Sequence, residues 1–146
     1  MDMIKPIIKE VVINAHASKV WAALTEKEQL AKWFHASDDY TGETGKTFHM
    51  DALHEGKNYL HTLTITEQIP EQKLSLDWHI NGDVGVTHVT YLLEPQGEST
   101  KVTVTHSGFE NYERAAAEDN RSGYDAGWEH VLFSLLKPYV ESTFKI

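Results

Sequence analysis

Residues 122–142 read SGYDAGWEHVLFSLLKPYVES, and this stretch decides the fold. Its apolar residues recur at spacings of three and four, which is the spacing of one helix face. They are Tyr124, Trp128, Val131, Leu132, Leu135 and Tyr139. Phe133, Leu136 and Val140 widen this face well beyond the usual stripe of ~100°. The sequence therefore predicts a long helix that covers a large apolar surface, and the rest of the chain must supply that surface.

Upstream of this helix, the sequence indicates a strand, two short helices and a series of further strands. The stretch 4–15, rich in Ile and Val, is typical of a strand. Ser18 is placed to cap one short helix, and Thr25 with Glu28 forms a capping-box pattern for a second. Alternating apolar residues between turn signals predict strands over 47–53, 58–69, 73–80, 84–93 and 101–106.

The connections between these strands are short, which favours an antiparallel meander and an α+β fold. A sheet built this way has one apolar face, and the C-terminal helix is the long element able to cover it. At 146 residues, the chain is expected to form a single domain over 1–146.

Net charge and composition exclude several classes of binding partner. The formal net charge is −9, and the 13 Lys and Arg residues are scattered along the chain, so nucleic acid and anionic membrane surfaces are not expected partners. There are no cysteines, so no disulfide is expected. The sequence has neither a signal-peptide pattern nor an apolar run of ~18 residues, so no membrane insertion is expected. A cytoplasmic protein is the default expectation.

Several short stretches resemble the activator of heat-shock-protein-90 ATPase homologue family, within the START-like (SRPBCC) superfamily. They include Ile13-Asn14-Ala15, Val20-Trp21-Ala22-Ala23-Leu24-Thr25, Trp33-Phe34, the segments 89–95 and 100–109, and Gly127-Trp128. The resemblance implies a helix-grip fold, in which a curved antiparallel sheet wraps a long C-terminal helix and two short helices follow the first strand. Superfamily members bind hydrophobic or amphipathic small molecules such as lipids, sterols and polyketides, and some are cyclases or hydrolases.

The resemblance also suggests a chaperone partner as an alternative. The co-chaperone that gives the family its name has an additional N-terminal domain, whereas this chain starts at the first strand of the fold. On the resemblance, stimulation of a heat-shock-protein-90-type ATPase is an alternative to small-molecule binding. The sequence leaves open whether the protein is a monomer or a homodimer.

The main hypothesis is a ligand cavity between the sheet and the C-terminal helix. Strand parity places both apolar walls and polar anchors on the face toward that helix. The predicted walls are Phe34, Phe48, Met50, Leu63, Trp78, Tyr91, Val131 and Leu135. The predicted polar anchors are Tyr59, His61 and His106, and Gly127 gives clearance at the cavity mouth. The aromatic residues could line a pocket or fill it, and the sequence does not separate these cases.

The nine histidines raise two further hypotheses. A metal site needs three or four converging ligands, and neither an HExxH nor an HxH pattern occurs, so no metal and no cofactor are expected. His61 and His106 fall on the apolar registers of their strands, whereas His79 falls on the opposite one. The alternative to a binding protein is therefore a cyclase or hydrolase that uses His61 or His106 as general acid or base.

Overall fold

The computed structural model describes residues 6–33, 40–54, 57–80, 86–108 and 125–143, with the backbone alone at 51–54, 57–60, 79, 80 and 143. Six strands form one antiparallel sheet in the order β1-β6-β5-β4-β3-β2. They are β1 (Ile7–Ile13), β2 (Thr47–His54), β3 (Lys57–Ile69), β4 (Lys73–Ile80), β5 (Thr87–Gln96) and β6 (Ser99–Ser107). The predicted α+β meander is confirmed, and the strands lie within a few residues of their predicted bounds.

One face of the sheet is apolar because side chains alternate between its two faces. On the central strands the buried positions are Leu74, Leu76 and Trp78, then Val89, Tyr91 and Leu93, then Val102 and Val104. The register of β3 against β4 shifts between Ile65 and Glu67. Such a bulge bends the strand, and the curved sheet gives a concave apolar face.

Two short helices, α1 (Ala17–Thr25) and α2 (Lys27–Trp33), follow β1. Both predicted caps are wrong. His16 occupies the N-cap position of α1, so Ser18 lies inside the first turn. Thr25 donates its hydroxyl hydrogen to the carbonyl of Trp21 at 2.7 Å, and the carbonyl of Glu26 accepts the backbone N–H of Leu30. Thr25 therefore closes α1 rather than capping α2.

The C-terminal helix, which we label α3, spans 125–143, close to the predicted 122–142. Residues His130–Leu136 are π-helical, and the N–H of Lys137 donates to the carbonyl of Leu132. Its buried residues, Trp128, Leu132, Leu136 and Val140, are spaced by four. That spacing drifts around a 3.6-residue helix, and the wider π turn offsets the drift. Phe133 is 44% exposed, so its predicted place on the buried face is wrong.

Side chains of α3 cover the free edge of β1. Lys137 Nζ donates to the carbonyl of Val12 at 2.7 Å, and Glu141 accepts the N–H of Asn14 at 2.9 Å. Lys137 and Glu141 also pair with each other at 2.7 Å. These bonds satisfy backbone groups that would otherwise form an exposed strand edge, and they fasten α3 to the first strand.

Within the described residues, no helix has both the length and the apolar character needed to span a membrane.

Candidate ligand site

The aromatic–histidine cluster consists of His61, Trp78, Thr87, His106 and Trp128, at the centre of the concave face. The rings of Trp78 and Trp128 meet edge to face, with their centroids 5.5 Å apart. The ring of Trp128 also lies 6.0 Å from that of His106. Trp128 projects from the start of α3, so this packing joins the helix to the sheet.

A continuous chain of hydrogen bonds runs through the cluster. Trp128 Nε1 donates to His106 Nδ1 at 2.8 Å, which places the proton of a neutral His106 on Nε2. His106 Nε2 lies 2.7 Å from the hydroxyl of Thr87, and that hydroxyl donates to the carbonyl of Trp78 at 2.9 Å. Every donor in this chain meets an acceptor, so one tautomer of His106 satisfies all the bonds.

The surroundings of His106 strongly favour its neutral form. The side chain is fully buried. Burial, with smaller contributions from positive charge on His61 and His88, lowers the pKa of His106 from 6.5 to about 3. His106 therefore carries no charge near neutral pH and acts as a polar link between Trp128 and Thr87.

A second Trp–His pair lies beside the first. Trp78 Nε1 donates to His61 Nδ1 at 2.8 Å, and the two rings meet edge to face with centroids 5.7 Å apart. The predicted burial of His61 and His106 is confirmed. Within the described part of the chain, no group of three or more His, Cys, Asp or Glu residues is arranged to hold a metal ion.

A small cavity of about 20 Å³ lies between the sheet and the helices α1 and α2. Its helix side is formed by Leu24, Leu30, Trp33 and the adjoining Tyr40. Its sheet side is formed by Phe48, Leu63, Ile65, Leu74, Leu76, Trp78 and Tyr91. A volume of this size is enough for about one water molecule.

Among the side chains that line the cavity, four carry a polar atom, and three of these atoms are paired. Trp33 Nε1 donates to the carbonyl of Ala23 at 2.8 Å, and the Tyr40 hydroxyl donates to the carbonyl of Thr25 at 2.5 Å. Trp78 Nε1 is engaged by His61. The Tyr91 hydroxyl has no hydrogen-bond partner among the described residues, although the side chain is only 3% exposed. Burial raises the pKa of Tyr91.

The cavity under α1 and α2 is not at the position predicted from the sequence. A cavity against the C-terminal helix is the expectation from sequence, whereas no described residue of α3 lines the cavity under α1 and α2. The space between α3 and the central strands is filled by the ring of Trp128, whose centroid lies 5.8 Å from that of Tyr91. The Trp128 ring therefore occupies part of the space in which the sequence places the cavity.

The predicted site residues divide into three groups. Those that line the cavity are Phe48, Leu63, Trp78 and Tyr91. Those that lie elsewhere are Met50, His61 and His106, all buried, the partly buried Val131 and Leu135, and the exposed Gly127. Phe34 and the side chain of Tyr59 lie outside the described residues. Their roles in binding stay predictions.

Sequence reasoning missed the helix side of the cavity. Leu24, Leu30 and Trp33 belong to the apolar faces of α1 and α2, and that periodicity was the available signal. Tyr40 comes from a turn-rich segment that offers no such signal. In the cluster, Thr87 was also missed, because threonine is common on strands and only the fold sets it beside His106.

Comparisons with known proteins agree on the architecture. A family profile described as "Activator of Hsp90 ATPase homolog 1-like protein" matches residues 14–141. No curated protein sequence matches the chain.

Three solved structures illustrate the structural likeness. Protein CV1439 from Chromobacterium violaceum is 20% identical with a TM-score of 0.76, and the match covers 94% of this chain and 97% of that one. The Aha1 dimer from Colwellia psychrerythraea is 24% identical with a TM-score of 0.71, covering 94% and 97%. DynU16, from the dynemicin biosynthetic locus, is 23% identical with a TM-score of 0.76, covering 96% of this chain and 48% of its own. At these identities the likeness shows the fold alone.

Proposed function

The chain belongs to the Activator of Hsp90 ATPase homolog 1-like family, and from this premise we propose that it binds a small, largely apolar molecule between the sheet and the helices α1 and α2. The observation that carries the proposal is the cavity there, lined by apolar and aromatic side chains. Binding sites for small molecules are typically concave and apolar with few polar groups.

Binding requires the cavity to grow, because about 20 Å³ holds no more than a water molecule. The strands are held to one another by ladders of backbone hydrogen bonds. On the helix side, Leu24, Leu30 and the Trp33 ring present apolar surface, and Trp33 is bonded to Ala23 within the helical pair itself. Because apolar contacts are non-directional, α1 and α2 can shift outward together without breaking that bond.

The biosynthetic locus from which one structural relative comes supports a role in small-molecule binding. DynU16 comes from a biosynthetic locus and shares this fold over 96% of the present chain. A cyclase or hydrolase centred on His106 receives less support. Both ring nitrogens of His106 are engaged, by Trp128 and Thr87, and its lowered pKa disfavours proton uptake near neutral pH.

Native mass spectrometry of freshly purified protein, followed by thermal shifts against aromatic and aliphatic compounds, tests the proposal. We expect a bound mass or a shift for at least one apolar compound. Leu30→Phe puts a larger side chain on the cavity wall and should weaken that binding by about tenfold or more. The matched control is Leu92→Phe on an exposed position of β5, which should bind as the wild type does. An empty protein that no compound shifts, or equal losses in both variants, would overturn the proposal.

A second candidate function is action on a heat-shock-protein-90-type chaperone, favoured by the description of the family. The test is the ATPase rate of such a chaperone titrated with the chain. Stimulation that saturates with a stoichiometric complex supports this function, and a rate unchanged at saturating concentration rejects it.

A further inference from the structure

Tyr91 is the unusual residue of the cavity lining, because its buried hydroxyl has no hydrogen-bond partner among the described residues. Tyr91 lies near the middle of β5, paired with Leu74 on β4 and Val104 on β6, so its backbone position is fixed from both sides. The ring packs edge to face against Trp128. A phenylalanine would make the same ring contact without burying a hydroxyl, and a buried hydroxyl without a partner is unfavourable.

No described residue forms a hydrogen bond with the Tyr91 hydroxyl. The other polar atoms of the cavity lining, on Trp33, Tyr40 and Trp78, are already bonded to protein groups. A water molecule in the cavity would have the Tyr91 hydroxyl as its available partner, whereas buried waters typically make about three hydrogen bonds. Such a poorly held water is favourably displaced by a ligand that brings its own polar atom.

The rest of the lining specifies the body of the ligand. Five of the described lining residues are aromatic, and aromatic side chains favour edge-to-face and offset contacts with other flat rings. No described lining residue is charged. A carboxylate or phosphate head group would therefore be buried without a counter-charge, which is strongly disfavoured. This argues against fatty acids and phospholipids whose charged end lies inside the cavity.

Resting on the ligand site proposed above, we propose that the ligand is a flat, uncharged, mostly apolar ring compound with one oxygen atom that hydrogen-bonds to the Tyr91 hydroxyl. The oxygen can belong to a ketone, an ether or a phenol. The hydroxyl sets the orientation of the ligand, and the aromatic wall supplies most of the contact area. Tyr91 is thus a specificity-determining residue in a site that is otherwise selective only for size and apolarity.

The test uses two probes of nearly equal shape, the bicyclic ketone indanone and the hydrocarbon indane. Isothermal titration calorimetry gives the ratio of the indane Kd to the indanone Kd for the wild type, Tyr91→Phe and Tyr40→Phe. We expect the ratio to fall about tenfold in Tyr91→Phe, which is the value of one hydrogen bond. Tyr40 also lines the cavity, but its hydroxyl is bonded to Thr25, so Tyr40→Phe should keep the wild-type ratio within about twofold.

The infrared carbonyl stretch of bound indanone is a second, independent measurement. It should lie at lower frequency in the wild type than in Tyr91→Phe, because a hydrogen bond weakens the carbonyl bond. If both probes bind and neither the ratio nor the stretch changes in Tyr91→Phe, the inference about Tyr91 is wrong and the ligand site stands. If neither probe binds to the wild type although another apolar compound does, the inference is wrong and the ligand site stands.

Discussion

The aromatic–histidine cluster and the cavity are neighbours that share Trp78, yet they treat buried polar groups in opposite ways. In the cluster, hydrogen bonds join Trp128, His106, Thr87 and the Trp78 carbonyl without an unpaired donor. In the cavity, the wall is apolar and the Tyr91 hydroxyl has no described partner. The directional bonds are concentrated where α3 joins the sheet, and they are sparse where α1 and α2 cover it.

The difference separates a fixed region from an adaptable one. A fully satisfied buried network specifies one arrangement of its members, since any shift breaks several bonds at once. Apolar contacts permit sliding and repacking at lower cost. The C-terminal helix is therefore expected to keep its position on the sheet when a ligand enters, while α1 and α2 move.

The largest expected effect is on Trp128. Trp128→Ala removes a buried ring from the junction of α3 and the sheet together with its hydrogen bond to His106 Nδ1, so the free energy of unfolding should fall by about 4 kcal/mol. Urea denaturation measures the loss. The matched control, Phe133→Ala, removes an exposed ring from the same helix and should change stability by less than about 0.5 kcal/mol. Equal losses in the two variants would remove the distinction between the cluster and the surface of α3.

The second effect is the acid sensitivity of the cluster. The pKa of His106 is about 3 in the folded protein and close to 6.5 when unfolded, so the unfolded chain binds a proton that the folded chain does not. The stability that His106 confers is complete above pH 6.5 and falls as the pH drops toward 3. Between pH 7 and pH 4, this group should cost about 3 kcal/mol of unfolding free energy.

His106→Gln isolates that contribution from those of the carboxylates. Its amide oxygen can accept from Trp128 and its amide nitrogen can donate to Thr87, but it does not titrate. Urea denaturation of both proteins across this range should show a steeper loss in the wild type. Parallel pH profiles would mean that His106 is not buried in its neutral form.

The smallest effect concerns the cavity and has the opposite sign. Tyr91→Phe removes an unpaired buried hydroxyl, so the unfolding free energy of the ligand-free protein should rise by up to about 1 kcal/mol. Tyr40→Phe, which deprives the Thr25 carbonyl of its donor, should instead lose about 1 kcal/mol. Thermal and urea unfolding of the two variants and the wild type measure these changes in unfolding free energy. A loss of stability in Tyr91→Phe would show that the hydroxyl is paired in the folded protein.

Much of the architecture followed from local patterns. Alternation along β3, β4 and β5 indicated which residues face the core, and Leu63, Trp78 and Tyr91 are buried as expected. The spacing of Trp128 and Leu132 likewise predicted the helix. The predicted cap of α2 was wrong because Thr25 can bond either to the turn before it or to the helix after it, and the predicted cap of α1 was wrong because that helix starts two residues earlier, after His16. Phe133 faces outward, and no residue pattern signalled the π-helical segment in which it lies.

The sequence by itself determined the order of elements, the two faces of the sheet and the burial of His61 and His106, since these depend on periodicities of two and about four along the chain. The tertiary structure decided which buried groups meet. It brought Trp128 to His106 across 22 positions and left Tyr91 facing the cavity without a described partner. The reason is physical: periodicity sets the side of an element on which a residue lies, but hydrogen bonds and cavities depend on distances between elements remote in sequence. The location of the cavity under α1 and α2, and with it the proposed ligand site, is a property of the packing alone.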